Sequence, residues 1–329
     1  MSGLGNHEPL PPELHDITDI KTVATMKKLY FLQLGFFLVL QLVAAGVFAN
    51  LPASTGMTAE TATMAGVPAA PALTGTFTIG ATGDYATISA AITALQTDGI
   101  SGPVVFDIQS GTYAEQFTLG PVTGASATNT ITFRSATGNA ADVTITHSAA
   151  GTADNYVVLL ENASHYILQN LKFVAGGTTY ARTIRGQLEL QNILVEGCIL
   201  ESPLATSTSG DRGNVIISAS TSADVRFINN TITGGSYGIF YQGTNNSSAR
   251  SLGLVLSGNT ISNIYYQGIN LDRFFEAHII NNVVSIMTGS SSSSIGIELT
   301  YVDGAIRVVD NRVTGARSYA IYFNDSQAL

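Results

Sequence analysis

VRFINNTIT (225–233), LVLSGNTIS (254–262), AHIINNVVS (277–285) and IRVVDNRVT (306–314) are four versions of one pattern. Each is a short strand, a turn ending on asparagine, and a second apolar position two residues later. The shared asparagines, Asn230, Asn259, Asn282 and Asn311, are spaced 29, 23 and 29 residues apart. A second element follows each copy: YGIFY (237–241), QGINL (267–271), IGIEL (295–299) and YAIYF (319–323). Weaker copies come earlier, HYILQNLKFV (165–174) and NILVEGCIL (192–200). Repeats of this length, with short alternating strands and no helical stretch between them, predict coils stacked into a solenoid. A leucine-rich repeat would show a fixed leucine frame, which is missing here. Variable spacing suits a β-helix, whose loops swell without disturbing the stack; the serine run Ser290–Ser294 is one such swelling. The expected fold is all-β: a right-handed parallel β-helix solenoid with a short N-terminal capping helix.

Period-two alternation assigns the faces. Val225 and Phe227, Leu254 and Leu256, Ala277 and Ile279, and Ile306 and Val308 point inward, as do Ile232, Ile261, Val284 and Val313 beyond the turn. Like stacks over like in successive coils, and each fully buried large aliphatic contributes roughly 1.5–3 kcal/mol. Asn230, Asn259, Asn282 and Asn311 are expected to form a structural ladder, their amides satisfying backbone groups that the bend leaves unpaired. In the second element, Phe240, Asn270, Glu298 and Tyr322 fall on one outward column.

Composition narrows the function classes. The chain has 329 residues, of which only 11% are charged, with 33 glycines, no tryptophan and a net charge of −9. That suits an all-β protein rich in turns. It argues against a nucleic-acid partner, because phosphate binding needs a basic face. Cys198 is the single cysteine, so no internal disulfide forms, and it reads as a small buried hydrophobe.

The N-terminal quarter reads as an address. Residues 1–25 are polar and acidic, and read as an extension created by a mis-called start. Residues 26–49 hold Met26-Lys27-Lys28, an apolar run from Leu29 to Phe48 and the exit Val47-Phe48-Ala49, the pattern of a secretory signal peptide. Left uncut, this segment would be a signal anchor and the only membrane contact, with Lys27 and Lys28 in the cytoplasm. Either way the body is expected outside a bacterial cell, secreted or at the cell surface. Residues 50–74 are an Ala/Thr/Pro linker, and 75–329 the β-helix domain. The sequence stops six residues after Phe323, at Leu329, without an evident C-terminal cap, so it is expected to be a fragment of a longer protein.

The start of that domain carries a further signature. Tyr85-Ala86-Thr87-Ile88-Ser89-Ala90-Ala91-Ile92 is followed by Gly111-Thr112-Tyr113-Ala114-Glu115. Ile88, Ala91, Ile92 and Leu95 share one helical face that could close the open end of a core. The segment resembles the opening of the pectate-lyase and pectin-esterase class of β-helix proteins, where a Y-x-T-I-x-x-A-I helix caps the barrel and G-x-Y-x-E begins the first coils. The resemblance covers roughly residues 76–323 and implies fold more than activity, since this architecture hosts lyases, hydrolases, esterases, adhesins and structural proteins.

Esterases of that class need paired aspartates, a glutamine-rich motif and an arginine followed by tryptophan; the missing tryptophan and aspartate block argue against esterase activity. Lyases of that class imply outward carboxylates for calcium and a basic residue that removes the sugar C5 proton. The candidates for such chemistry are Asp272-Arg273 with Glu276, Glu298, and Asp303 with Arg307. Phe240, Asn270, Glu298 and Tyr322 form the candidate ligand-binding groove, where aromatics stack sugar rings and polar groups bond their hydroxyls. The competing reading is a solvated strand face with ordinary loop charges. Arg226, His278 and Arg307 share a second outward column, which more often is simple surface. His147 and His165 lack metal-ligand spacing, and no metal site or cofactor is expected, calcium apart in the lyase reading. The expected function is an exported or cell-surface protein that binds a polysaccharide or cell-surface glycan, or acts as an adhesin. The alternative is a polysaccharide lyase or glycoside hydrolase acting on acidic polysaccharide, with Asp272, Arg273 and Glu298 as its catalytic candidates.

Overall fold

The computed structural model describes residues 71–244 and 251–328. Residues 1–25, the apolar segment 26–49 and most of the linker lie outside the described residues. The first strand, Leu73–Ile79, begins two residues inside the stretch read as linker.

The described chain is a parallel β-solenoid in which each strand pairs with its counterpart one coil away. Three faces follow one another around a coil. The first passes through Ile193–Glu196, Val225–Ile228, Leu254–Ser257, Ala277–Ile280 and Ile306–Val309. The second is an eight-stranded sheet running from Gly111–Tyr113 to Arg312–Thr314. The third passes through Val215–Ser220, Tyr237–Gly243, Gln267–Asp272, Ile295–Thr300 and Tyr319–Asn324.

Inward residues stack in columns. Phe77, Phe106, Phe133, Leu168, Val195, Phe227, Leu256, Ile279 and Val308 stand over one another in register. The Phe106 and Phe133 rings stack at 4.8 Å. From Phe106 to Ile279 this column is essentially solvent-free, whereas Ile306, Val308 and Val313 of the last described coil are only half-buried.

The bend between the first and second faces takes two residues. The first is left-handed: Asn170, Gly197, Asn229, Gly258, Asn281 and Asp310 have φ between 53° and 68°. Asn and Asp tolerate that region better than other side chains, and glycine enters it without penalty. The second residue faces inward and is Leu171, Cys198, Asn230, Asn259, Asn282 and Asn311 in turn. Asn230 Nδ2 donates to Asn259 Oδ1 at 3.0 Å, Asn259 to Asn282 at 2.9 Å, and Asn282 to Asn311 at 2.9 Å. The same oxygens accept from the backbone N–H of Cys198, Asn230, Asn259 and Asn282, counting Asn230 Oδ1 as the acceptor for Cys198. The remaining amide hydrogens go to the carbonyls of Val195, Phe227, Leu256 and Ile279.

At the other end, helix α1 (Ile88–Asp98) buries Ile88, Ala91, Ile92 and Leu95 in the core. Glu115, the acid of the G-x-Y-x-E motif, receives the N–H of Ile88 at 3.1 Å and of Ser89 at 2.9 Å. A carboxylate at this position satisfies orphan donors and opposes the positive end of the helix dipole.

The third face depends on a glycine column. A Cβ at Gly268 would lie 2.2 Å from Val284 Cγ1 and 2.6 Å from the Gly296 carbonyl oxygen, and Gly238 and Gly296 are equally tight. Only glycine lets the second-face aliphatics reach under this strand. We expect Gly268→Ala to destabilise by about 1–3 kcal/mol through overpacking. Asn259→Ala should lose on the order of 3 kcal/mol, because buried donors left unpaired cost about 1–3 kcal/mol each. Urea unfolding checks both. If Asn259→Ala lost no more than Thr260→Ala beside it, the ladder would contribute little.

Candidate functional site

On the third face Phe240 stands opposite Asn270, Asn270 opposite Glu298, and Glu298 opposite Tyr322. The flanking Ile239 and Tyr241, Ile269 and Leu271, Ile297 and Leu299 are fully buried, so alternation turns Phe240, Asn270 and Glu298 outward; Tyr322 joins the row by its register with Glu298, its own neighbours Ile321 and Phe323 being exposed. All four members are partly exposed. The four strands thus bring the ligand-binding candidates together as one contiguous row.

Glu298 is held from one side. Gln267 Nε2 donates to its Oε2, and Asn270 Nδ2 donates to the same oxygen at 3.1 Å and to Gln267 Oε1 at 2.9 Å. Burial pushes the Glu298 carboxyl above its ordinary value; the Asn270 hydrogen bond opposes that shift, and the nearby Asp272 charge adds to it. Asp272 faces Thr300, two residues beyond Glu298 on the neighbouring strand. Strand spacing and rise place the two backbones about 8 Å apart along that diagonal.

Arg273 joins Asp272 more than it joins Glu298. Its Nη1 donates to Asp272 Oδ2, which also accepts from Gln242 Nε2 at 2.7 Å. The guanidinium lies 5.8 Å from the ring centre of Tyr301, and both residues are left-handed, with φ of 66° and 53°. Asp272 Oδ1 is buried without a hydrogen-bond partner.

Aromatic rings flank the acid on both sides. Tyr237 meets Phe240 and Tyr266 edge-on, each at 5.4 Å, and Tyr319 stacks on Tyr322 at 4.7 Å. Burial raises the Tyr237 hydroxyl well above its usual range, with the Tyr266 and Glu298 charges adding to the effect.

Other candidates lie elsewhere. Arg307 stands opposite His278 on the first face, in the row that also holds Arg226 and Val255. Asp303 belongs to a short strand paired with Gln327, and Glu276 precedes the first-face strand Ala277–Ile280. Cys198 is buried, and burial pushes its thiol up to about 12, which leaves it inert at neutral pH. Calcium takes 6–8 oxygen ligands. Asp272 Oδ2 and Glu298 Oε2 are already engaged, and among the described residues no three His, Cys, Asp or Glu side chains gather as a metal set. The site therefore does not fit a calcium cage. A separate shallow cavity of about 150 Å³ lies between Pro121, Asn162, Ser164, Glu189 and Gln191, on earlier coils.

Two participants escape a reading of the sequence. Gln267 shares the parity of inward Ile269, so alternation assigns it to the core. It is indeed buried, yet its amide reaches across to Glu298. Tyr319 starts the last third-face strand at the place Tyr237 and Gln267 occupy in earlier copies, and that alignment is the signal that could have found it.

Solved structures share this architecture. The chain is similar to the pectin methylesterase of Aspergillus niger, with a TM-score of 0.51 and 17% identity over 78% of this chain and 86% of that one. Pectin methylesterase PemA of Erwinia chrysanthemi aligns with a TM-score of 0.41 and 13% identity, over 74% and 68% of the two chains. A rhamnogalacturonan lyase aligns at 0.40 and 12% identity, over 77% and 68%. The sequence matches no protein-family model and no curated protein. At 17% identity the likeness to the Aspergillus niger enzyme is one of fold.

The raised Glu298 carboxyl has a consequence for stability. Between its unfolded and folded values the folded chain holds the proton more tightly, so stability falls as pH rises through that window. Glu298→Gln removes the loss. Its melting temperature should exceed that of the wild type at pH 7, and the gap should close as pH falls below the unfolded value of about 4.5. Thermal melts across pH check this, and a variant that melts lower at pH 7 would contradict it.

Proposed function

We propose that the third face binds a polysaccharide or cell-surface glycan, and that the protein works outside the cell as a carbohydrate-contacting or adhesive module. The observation that carries this reading is the placement of aromatic clusters on both sides of an outward acid–amide pair. Phe240 with Tyr237 and Tyr266 stands on one side of Asn270 and Glu298, and Tyr322 with Tyr319 on the other. Three strand steps separate Phe240 from Tyr322, about 14 Å at the usual spacing. That length suits a short run of pyranose rings lying along the solenoid axis, with ring faces on aromatics and hydroxyls on Glu298 and Asn270. The fold shared with a pectin methylesterase supports a carbohydrate setting. Location outside the cell rests on the apolar run 29–48 behind Lys27 and Lys28. Among the described residues no helix is long and apolar enough to cross a membrane.

A second reading, a glycoside hydrolase or polysaccharide lyase, is favoured by one observation: a carboxyl of raised pKa, Glu298, beside a second carboxylate, Asp272. Enzymes that cleave glycosides use two carboxyls whose environments push them apart. Against it, both Asp272 oxygens are withdrawn from a ligand, one held by Arg273 and Gln242 and the other buried.

The full chain, incubated with plant, algal and host polysaccharides with and without calcium, separates the two. We expect retention without release of sugar ends or unsaturated uronate. Phe240→Ala and Tyr322→Ala should each weaken retention about 5- to 10-fold, the loss of one aromatic contact at about 1 kcal/mol or slightly more. Release that vanishes in Glu298→Gln would replace the binding reading with the enzymatic one.

A further inference from the structure

We infer that this face is built for a neutral, hydroxyl-rich glycan and rejects uronate chains, with Glu298 as the specificity-determining residue. The inference rests on the glycan-binding reading and deepens it. Its basis is where the hydrogen-bond donors of the row have gone. Asn270 spends its amide hydrogens on Gln267 Oε1 and Glu298 Oε2, and Gln267 donates to the same carboxylate oxygen. What the pair turns outward is acceptor: Glu298 Oε1 and Asn270 Oδ1. An acceptor-lined patch bonds sugar hydroxyls, which donate. The Asn270–Glu298 pair offers no donor to the carboxylate of a uronate, which only accepts, so the tyrosine hydroxyls at the two ends of the row are the donors that such a carboxylate would have to reach.

Charge points the same way. The strands Tyr237–Gly243 and Tyr319–Asn324 contribute no charged side chain to the face. Gln267–Asp272 contributes Asp272, and Ile295–Thr300 contributes Glu298. Arg273 neutralises Asp272 and lies over Tyr301, so it is not free to clamp a substrate carboxylate. Arg317, at the approach to the last strand, donates to the Ser290 carbonyl at 2.9 Å. Arg185, two coil steps before Phe240 in the same row, donates to the Thr152 carbonyl at 3.2 Å. One uncompensated negative charge therefore sits at the centre of the row, and a uronate would meet like charge and acceptor against acceptor.

The test competes the full chain off whichever panel polysaccharide retains it, using two soluble probes of one length. These are an oligogalacturonide and its fully methyl-esterified form, which differ at each carboxyl in charge and by one methyl group. We expect the ester to compete at least 10-fold better at pH 7 and low salt. The ratio should shrink as salt screens the repulsion, since the screening length falls from about 30 Å at 0.01 M to about 10 Å at 0.1 M. It should approach unity in Glu298→Gln, whose folding is checked by its circular dichroism and its thermal melt. Equal or better competition by the acid, or competition by neither probe, overturns the inference and leaves glycan binding standing. Failure of the folded chain to be retained on any polysaccharide of the panel overturns the glycan reading itself.

Discussion

The interaction on which the site-bearing coils of this solenoid depend is the asparagine-to-asparagine hydrogen bond at the bend between the first and second faces, from Asn230 to Asn311. A left-handed residue followed by an inward asparagine turns the chain sharply, and such a turn leaves backbone N–H groups facing the core. A buried N–H without a partner is costly. Here the amide oxygen of the next coil supplies the acceptor, as when Asn282 Oδ1 receives both the N–H and the Nδ2 of Asn259. Each coil thus completes the one before it. The bond also fixes rotational register, because a slip of one residue would put an aliphatic where the acceptor must stand.

That register is what places the candidate site. The bend position carries the repeated ladder, and the third face keeps the same alignment, with its own side-chain bonds from Gln242 to Asp272 and from Asn270 to Glu298. Loops between faces swell freely, as at Ser290–Ser294, where Ser291 N–H still meets the Tyr265 carbonyl and Ile295 N–H the Tyr266 carbonyl. Phe240, Asn270, Glu298 and Tyr322 therefore stand one above another although the intervening segments differ in length. The glycine column Gly238, Gly268 and Gly296 closes the geometry from the inside by admitting Ile261, Val284 and Val313 beneath the strand.

Legibility of the fold in the sequence followed the same physics. Coils from Asn230 onward announce themselves because the ladder demands one residue type at one place. The earlier coils lack that demand: buried Leu171 occupies the bend position in one, and Cys198 in the next, where the thiol donates to the Leu168 carbonyl at 3.4 Å in place of an amide. The coils holding Ile100–Ile108 and Ile131–Ser135 carry no such signal, and there the turn after Ser135 runs through a short 3-10 segment, Ala140–Asp142. The outward row was legible because period-two alternation is strict in a strand backed by a dry core. What surrounds Glu298 was not. Gln267 sits at an inward parity and is buried, yet its amide reaches Glu298, a length-of-side-chain effect that alternation does not encode. The Asp272–Arg273 pairing depends on the left-handed turn at Arg273, which no alternation rule foresees.

This last point bears on function more than any single distance. Read as a string, Asp272, Arg273 and Glu298 are two acids and a base within one coil step, the raw material of a catalytic site. Folded, the base is consumed by one acid and an aromatic ring, while the other acid is braced by two amides and left facing solvent. Catalysis on a glycoside needs two groups that both reach the bond. Binding needs only one acceptor between two platforms. Asp272 shares the outward parity of Asn270, yet its Oδ2 is held by Arg273 and Gln242 and its Oδ1 is buried, and that engagement is what favours the binding proposal over the catalytic one.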